Sequence, residues 1–366
     1  MSLRSLGKLL ECHDPEETMC RETLRKIMKG ARHCRPSEVG KFAKAFGVTV
    51  ERLKQTDTEN LVSDIRRSIE RKDDLQRAKK LCEYYVSIAL GLSEKCDALN
   101  YLAHVVFELG DYEEAHKLWN SAFGISKVIA EKYGATQRLY AVLLKLMVSY
   151  TTRKRFTELA GVLATVEEVF HSDHEKMGVI YHSKAMIAEQ FNNTNQTREY
   201  LTRSLSELEL TGMRNHIGRA QVNLGYFEFK NRNYNKARGH FDEAIQNLLG
   251  DAQILPIAVK EYAKVLIKLE EFGRAVEMIE EHYHLVQERG ELKGKYDILL
   301  TLANHDIRYA EKVAVTASAG KTVRALACRV LINHFSVLGD SVALMKYYRM
   351  EKKILEATDI LHMEEF

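Results

Sequence analysis

The chain has 366 residues, of which 45% are apolar, and its formal net charge is +3. This apolar fraction is too high, and this net charge too small, for an intrinsically disordered protein, and the length favours several units or a repeat array over one compact domain. Only three residues are proline, and because proline breaks helix interiors, so few of them favour long stretches of helix. The sequence therefore predicts an all-α protein.

The first residues and the cysteines bear on the cellular compartment. The N-terminus, MSLRSLGKLLECHDPEE, has neither the apolar core nor the small-residue cleavage site of a secretory signal. No uncharged stretch approaches the ~20 apolar residues of a membrane span. The six cysteines are scattered, with no CxxC pair and no spacing typical of a metal site. We therefore expect a cytoplasmic protein with reduced thiols and with no membrane partner, metal or cofactor.

The N-terminal segment is predicted to form short helices joined by glycine turns. Asp14 and Pro15 are typical of a helix N-cap and a first helical position, and this helix is expected to end at Gly30. A second helix opens at Pro36, and the turn at 47–49 leads into a third. Short helices joined in this way are typical of a helix-turn-helix unit.

The run CRETLRKIMKGARHCRPSEVGKFAKAFGVTVERLKQ, from Cys20 to Gln55, resembles the second half of the helix-turn-helix of the Xre and lambda-repressor type. The resemblance implies that the first helix of this run is a recognition helix. The sequence departs from the pattern upstream, where the usual first helix is missing or shortened.

The distribution of charge agrees with a DNA-binding unit. Residues 1–56 carry twelve Lys/Arg and seven Asp/Glu, a net charge of +5, whereas residues 57–366 carry a net charge of −2. On the predicted recognition helix, Leu24, Ile27 and Met28 share one face as core, so the basic residues point outward. Such cations can neutralise DNA phosphates or pair with guanine. The candidate DNA-binding residues are Arg21, Thr23, Arg25, Lys26, Lys29 and Arg32. The alternative is a solvated basic face on a helical cap of the repeats.

Residues 57–366 contain an internal repeat. The stretches NYLAHVVFELGDYEEAHKLWNSAF and VNLGYFEFKNRNYNKARGHFDEAI align in one register, with a small residue on the first helix and an aromatic residue after the turn. The pattern resembles the tetratricopeptide repeat, although most copies lie 37 to 44 residues apart, against ~34 in the standard repeat. We predict a right-handed α-solenoid of about eight helix pairs, whose curvature creates a concave binding surface.

A helix-turn-helix unit at 1–56 followed by a tetratricopeptide-repeat domain at 57–366 resembles the RRNPP family of peptide-sensing regulators in Gram-positive bacteria and their phages. Within that family, the arbitrium receptors of temperate phages look nearest. The resemblance implies a quorum-sensing homodimer that binds a double-stranded DNA operator and regulates transcription. A short signalling peptide on the concave face would control it. We expect no enzymatic activity, because no paired acids, nucleophile or phosphate-binding loop is evident.

Candidate peptide-binding residues follow from the repeat register. A peptide main chain calls for amide side chains in the groove, and a peptide carboxylate calls for Arg or Lys. The candidates on or beside the inner face of the first helices are His182, Arg219, Asn223, Tyr226, Lys264, Asn304, Arg329 and Asn333. For each of them the alternative is an ordinary solvated groove residue.

Two other functions remain open from the sequence. One is a Rap-like protein that binds or dephosphorylates a response regulator under peptide control. The other is a bare scaffold in which the basic N-terminal unit serves only solubility.

Overall fold

The computed structural model describes residues 3–13, 19–28, 31–72 and 74–355. These ranges form α-helices and three short 3-10 helices and contain no strand, so the predicted all-α class is confirmed. The α-helices are α1 (Leu3–His13), α2 (Arg21–Met28), α3 (Pro36–Phe46), α4 (Val50–Lys54), α5 (Glu59–Arg71), α6 (Leu75–Ile88), α7 (Leu92–Glu108), α8 (Tyr112–Tyr133), α9 (Gln137–Thr152), α10 (Phe156–Phe170), α11 (His174–Gln190), α12 (Thr194–Glu209), α13 (Arg214–Lys230), α14 (Tyr234–Leu248), α15 (Leu255–Lys268), α16 (Phe272–His282), α17 (Gly290–Asn304), α18 (Ile307–Val315), α19 (Gly320–Leu338) and α20 (Ser341–Leu355). The 3-10 helices are Thr56–Thr58, Tyr283–Val286 and Ala317–Ala319. Among the described helices, none combines the length and the apolar composition that crossing a membrane requires.

The chain divides into two compact units, Met1–Val169 and Phe170–Phe366. The first unit holds α1 to α9 and all but the last residue of α10, and the second holds α11 to α20. The boundary at residue 56, which separates a helix-turn-helix unit from the repeats, stays a prediction.

The N-terminal helices α1, α2 and α3 share a small core. Its buried members are Leu6, Leu10, Leu24, Phe42 and Ala45. In α1 the four-residue spacing of the two leucines places them on one face, and that face packs against the core residues of α2 and α3. This helix of eleven residues stands where the sequence predicted a missing or shortened helix.

The predicted start of the next helix is wrong. Residues 19–20 are not helical, and α2 begins at Arg21, so no continuous helix runs from Asp14 to Gly30. Both of those residues lie outside the described ranges. The Asp14-Pro15 signal is local, and it takes no account of the apolar contacts that α2 makes with α1. The later turn follows the prediction, because Gly47 takes the left-handed conformation (φ +66°) that ends α3.

A buried ion pair joins α4 to the first turn of α7. The Arg52 guanidinium donates a hydrogen bond from one nitrogen to the fully buried carboxylate of Glu94, and from another nitrogen to Asp57 at 2.9 Å. The Glu94 carboxylate also accepts the backbone N–H of Leu90 at 3.0 Å and the Thr58 hydroxyl at 3.4 Å. Several donors therefore stabilise this buried charge, as a carboxylate out of water requires.

Helices α5 to α20 follow one another as eight helix–turn–helix units in the described part of the chain, which confirms the repeat architecture. We refer to the two helices of each unit as a pair. In the pair α7/α8, Ala103 and Ala115 are fully buried and Trp119 packs between the helices. In the pair α13/α14, Gly225 approaches the ring of Phe241 so closely that a Cβ would lie 2.8 Å from Cε2. The small residue and the aromatic residue of the repeat are therefore a matched contact.

The turn between the two helices of a pair has the same backbone feature throughout the described array. In each pair, one turn residue adopts a positive φ of 54° to 91°. The eight residues are Lys72, Gly110, Lys154, Asn192, Arg232, Glu270, His305 and Gly339. Six of the eight turns place a non-glycine residue in a conformation that L-residues rarely adopt.

Candidate functional site

The basic residues of α2 lie on its exposed side. Arg21, Arg25 and Lys26 are exposed, whereas Thr23 is half-buried. The Thr23 hydroxyl lies 3.2 Å from the sulfur of Cys20, one turn before it. This side of α2 can therefore present three cations to an anionic partner.

One of these cations already has a partner within the helix. Arg25 forms two hydrogen bonds with the carboxylate of Glu22, Nε to Oε2 at 2.9 Å and Nη2 to Oε1 at 2.7 Å. This hydrogen bonding raises the pKa of the Arg25 guanidinium. Both side chains are about half exposed, so an incoming phosphate competes with Glu22 in water, where such pairs are weak.

The remaining DNA-binding candidates, Lys29 and Arg32, follow α2 in the chain. Arg32 turns towards α3, and its Nη2 donates a hydrogen bond to Glu38 Oε1 at 2.8 Å. Glu38 also accepts the backbone N–H of Arg35, and these bonds lower its pKa. Arg32 thus helps to hold the start of α3. Lys29 lies outside the described residues. Met28, predicted as core, is 37% exposed, because it is the last residue of α2 and the core is filled one turn earlier.

Three of the predicted peptide-binding residues line one cavity in the second unit. His182 of α11 faces Arg219 and Asn223 of α13 across a cavity of about 220 Å³. The α12 residues Ser204 and Leu208 complete its lining. Burial lowers the pKa of the His182 imidazole. At pH 7 this ring is therefore neutral, and it offers the cavity one hydrogen-bond donor and one acceptor.

Arg219, Asn223 and Tyr226 form a row along α13. Their spacing of four and three residues places them on one side of the helix. Arg219 pairs with Asp251 at 3.1 Å, and the pKa of Asp251 is lowered by the backbone N–H of Ile254 and by this arginine. Tyr226 is 43% exposed. The row therefore offers a fixed guanidinium, an amide and an aromatic ring.

Lys264 of α15 adjoins the end of this row. Its ammonium lies 5.9 Å from the ring centre of Tyr226 and 5.1 Å from that of Phe229. It also pairs with Glu261, as does Lys260 at 2.7 Å. Thus five of the eight predicted residues lie on the first helices α11, α13 and α15, in two adjoining groups. We call this surface the α11–α13–α15 face.

The other three predicted residues lie on later pairs. Asn304 is the last residue of α17, and its side-chain oxygen accepts the backbone N–H of Asp306 at 2.9 Å. Arg329 of α19 pairs with Glu351 of α20, the second helix of its own pair. Asn333 is exposed on α19. Local hydrogen bonds thus engage Asn304 and Arg329 within their own repeats.

The carboxylates that hold the cations of this face were not predicted from the sequence. Asp251 binds Arg219, Glu261 binds Lys260 and Lys264 of α15, and Glu189 of α11 binds Lys230 of α13. Only Glu261 had a signal in the sequence, because Lys264 follows it at the three-residue spacing of a helix face. The other two carboxylates are 32 and 41 residues from their partners along the chain.

Comparisons with known proteins show the fold. No protein-family model and no curated protein matches this chain. The crystal structure of the apo form of RapI is 13% identical, with a TM-score of 0.62 over 97% of this chain and 96% of that one. The apo form of the quorum sensor NprR from B. thuringiensis is 15% identical, with a TM-score of 0.57 over 96% and 97%. A Rap protein complexed with Competence and Sporulation Factor is 14% identical, with a TM-score of 0.50 over 97% and 96%. The chain therefore has a tetratricopeptide-like helical fold similar to theirs along almost its whole length.

Proposed function

We propose that the protein is a cytoplasmic, RRNPP-type transcription regulator that binds DNA under the control of a short signalling peptide. The observation that carries this proposal is the α11–α13–α15 face, where a cavity adjoins an arginine, an amide and an exposed aromatic ring. The full-length likeness to the quorum sensor NprR supports it. Within this class, the role closest to the sequence pattern is that of a phage arbitrium receptor, which sets the choice between lysis and lysogeny.

The chemistry of the face suits a peptide. The Asn223 amide can donate to and accept from one peptide unit, and the neutral His182 can do the same. The exposed ring of Tyr226 offers apolar surface to a side chain. The cavity is small, at about 220 Å³, which suits one or two peptide side chains rather than a folded partner.

The DNA-binding part of the proposal depends on α2. Its exposed arginine and lysine side chains can contact phosphates and guanine edges. In a homodimer, two such helices would read half-sites about 34 Å apart, or a multiple of this distance. The exposed side chains of Val342, Met345 and Tyr348 on α20 supply apolar surface for a second copy. A peptide would regulate DNA binding only if it has different affinities for the conformation of the dimer that binds DNA and for the conformation that does not.

The experiment measures binding to the DNA upstream of the gene at several salt concentrations. Substituting Arg25→Ala together with Lys26→Ala should weaken binding and flatten the salt slope by about one for each phosphate that the variant no longer neutralises. The matched control is Lys117→Ala with Lys132→Ala, two exposed lysines of α8. An unchanged salt slope in the α2 variant would contradict the proposal that this helix binds DNA.

A second candidate is a Rap-like protein that binds or dephosphorylates a response regulator under peptide control. The likeness to RapI favours it, because that match spans 97% of this chain and so extends into the N-terminal helices. The test incubates the protein with a phosphorylated response regulator and follows both complex formation and phosphate release. Complex formation or phosphate release, together with a lack of binding to the upstream DNA, would establish the second candidate in place of the first.

A further inference from the structure

Helix α15 carries a row of lysines at four-residue spacing. Lys260, Lys264 and Lys268 fall on one side of the helix. The first two are part-buried and the third is exposed, and Lys268 forms no ion pair with any residue in the described ranges. Cations repel one another when they are crowded in this way, so the row needs compensating negative charge.

One carboxylate serves this row. Glu261 is only 9% exposed, and its two oxygens are divided between Lys260 and Lys264. Burial opposes ionisation of this group, yet the pKa of Glu261 lies below its usual value because both ammonium groups hydrogen-bond to it. Glu261 therefore stays ionised, and the two part-buried lysines retain one uncompensated positive charge.

The other ion-paired cations described for the α11–α13–α15 face differ from this row. Arg219 pairs with Asp251, and Lys230 pairs with Glu189, one cation to one carboxylate. Among these ion-paired groups, the excess positive charge therefore lies on α15. Aromatic rings fix its position, because Lys264 lies over both Tyr226 and Phe229. A cation held by rings and a buried carboxylate is oriented before any ligand arrives, which favours affinity.

We propose that the ligand of this face presents a carboxylate to Lys260 and Lys264. The proposal rests on the peptide-receptor function and adds the chemical group that the peptide must carry. A C-terminal carboxylate and an aspartate or glutamate side chain are the two sources of this group. Either would neutralise the excess charge while the ring of Tyr226 packs against the neighbouring part of the peptide.

Four pools of random hexapeptides test the proposal by native mass spectrometry of the full-length protein. The pools have free or amidated C-termini, each with or without aspartate and glutamate. Retention from the free-acid pool lacking acidic residues identifies the C-terminus as the source. Retention from the amidated acidic pool identifies a side chain. Equal retention from the amidated pool without acidic residues overturns the proposal. Retention from no pool overturns the peptide function itself, and the carboxylate proposal with it.

Variants then test the lysines with a peptide that the pools identify. Lys260→Gln with Lys264→Gln should weaken its affinity at least tenfold, whereas Lys236→Gln with Lys312→Gln, two exposed lysines of the same unit, should leave it within twofold. Glu261→Gln keeps both lysines, the rings beside Lys264 and an amide oxygen that can still accept from one ammonium group. It removes only the shared negative charge, so it should tighten binding several-fold. This opposite direction separates loss of the site from loss of folding. Unchanged affinity in the lysine variant, or weaker binding by the Glu261→Gln variant with an intact fold, would refute the carboxylate site.

Discussion

The α2 surface and the α11–α13–α15 face both carry cations, but they hold them in different ways. On α2 the Arg25–Glu22 ion pair lies within one helix, and both partners are about half exposed. On the other face, Arg219 is held by Asp251 of the α14–α15 loop and Lys230 by Glu189 of α11, both distant in the chain, while Lys260 and Lys264 are held by the buried Glu261. Exposed cations can adjust to a polyanion such as DNA, and they bind its phosphates by displacing the counterions that surround the DNA. Fixed cations suit a ligand of one defined shape.

Burial of the carboxylate should decide how much an ion pair contributes, whichever region it occupies. The Arg52–Glu94 pair lies near α2 in sequence but has a buried carboxylate, as the lysines of α15 have in Glu261. Glu94→Ala should therefore lower the free energy of unfolding by about 3–5 kcal/mol, because it leaves a guanidinium uncompensated. Urea unfolding measures this change. Asp57→Ala, which removes the exposed partner of the same arginine, should cost less than about 1 kcal/mol. Equal losses from the two variants would show that burial does not separate the regions.

The α11–α13–α15 face depends on the packing behind it. Gly225→Ala would push a Cβ towards Phe241 and displace α13, so we expect a loss of about 1–3 kcal/mol in unfolding free energy and weaker peptide binding. Gly239→Ala on the adjacent α14 is the control, since no atom lies within 4 Å of the position that its Cβ would occupy. That substitution should gain about 0.5–1 kcal/mol through helix propensity. Unaltered stability of the Gly225→Ala variant would mean that the pair tolerates the displacement.

The exposed pair on α2 should respond in the opposite direction. Glu22→Gln frees Arg25 and removes a carboxylate from the proposed DNA surface, so DNA affinity should rise by up to about fivefold at low salt. Fluorescence anisotropy with the upstream DNA measures this effect. Glu158→Gln is a matched control, because Glu158 forms an exposed pair of the same spacing with Arg155. A similar rise in the control would assign the effect to net charge alone.

The smallest expected effect is a pH dependence that arises from histidines that are partly or fully buried. Burial lowers the pKa of His104, His116, His182 and His240. The unfolded chain therefore takes up protons below about pH 6.5 that the folded chain resists, and stability falls as the pH decreases through that window. His182→Asn should make this decline shallower, as measured by unfolding between pH 7 and pH 5. The same substitution at the exposed His284 is the control, and identical slopes in all three proteins would contradict a contribution from His182.

The sequence predicted the elements that depend on local spacing. The two clear repeats gave the register of Ala103 with Trp119 and of Gly225 with Phe241, since helix pairing depends on residues at fixed intervals. It also predicted that Arg21, Arg25 and Lys26 lie on the exposed side of α2. It did not predict which carboxylate holds each cation, because Asp251 of the α14–α15 loop and Arg219 of α13 are far apart in the chain and meet only in the folded repeats. The prediction that Met28 is a core residue was wrong for a related reason, because helical spacing does not say where a helix ends.

The eight left-handed turn residues have a consequence for how the array is tuned. A non-glycine residue in this conformation costs roughly 1 kcal/mol or more, and six of the turns carry that cost. The backbone of each turn is thus set by the pairing of its helices rather than by its own residue. Each of these six turns is a separate position at which glycine would add stability to one helix pair. The stability of the repeats can therefore change one pair at a time while the proposed peptide and DNA surfaces keep their side chains.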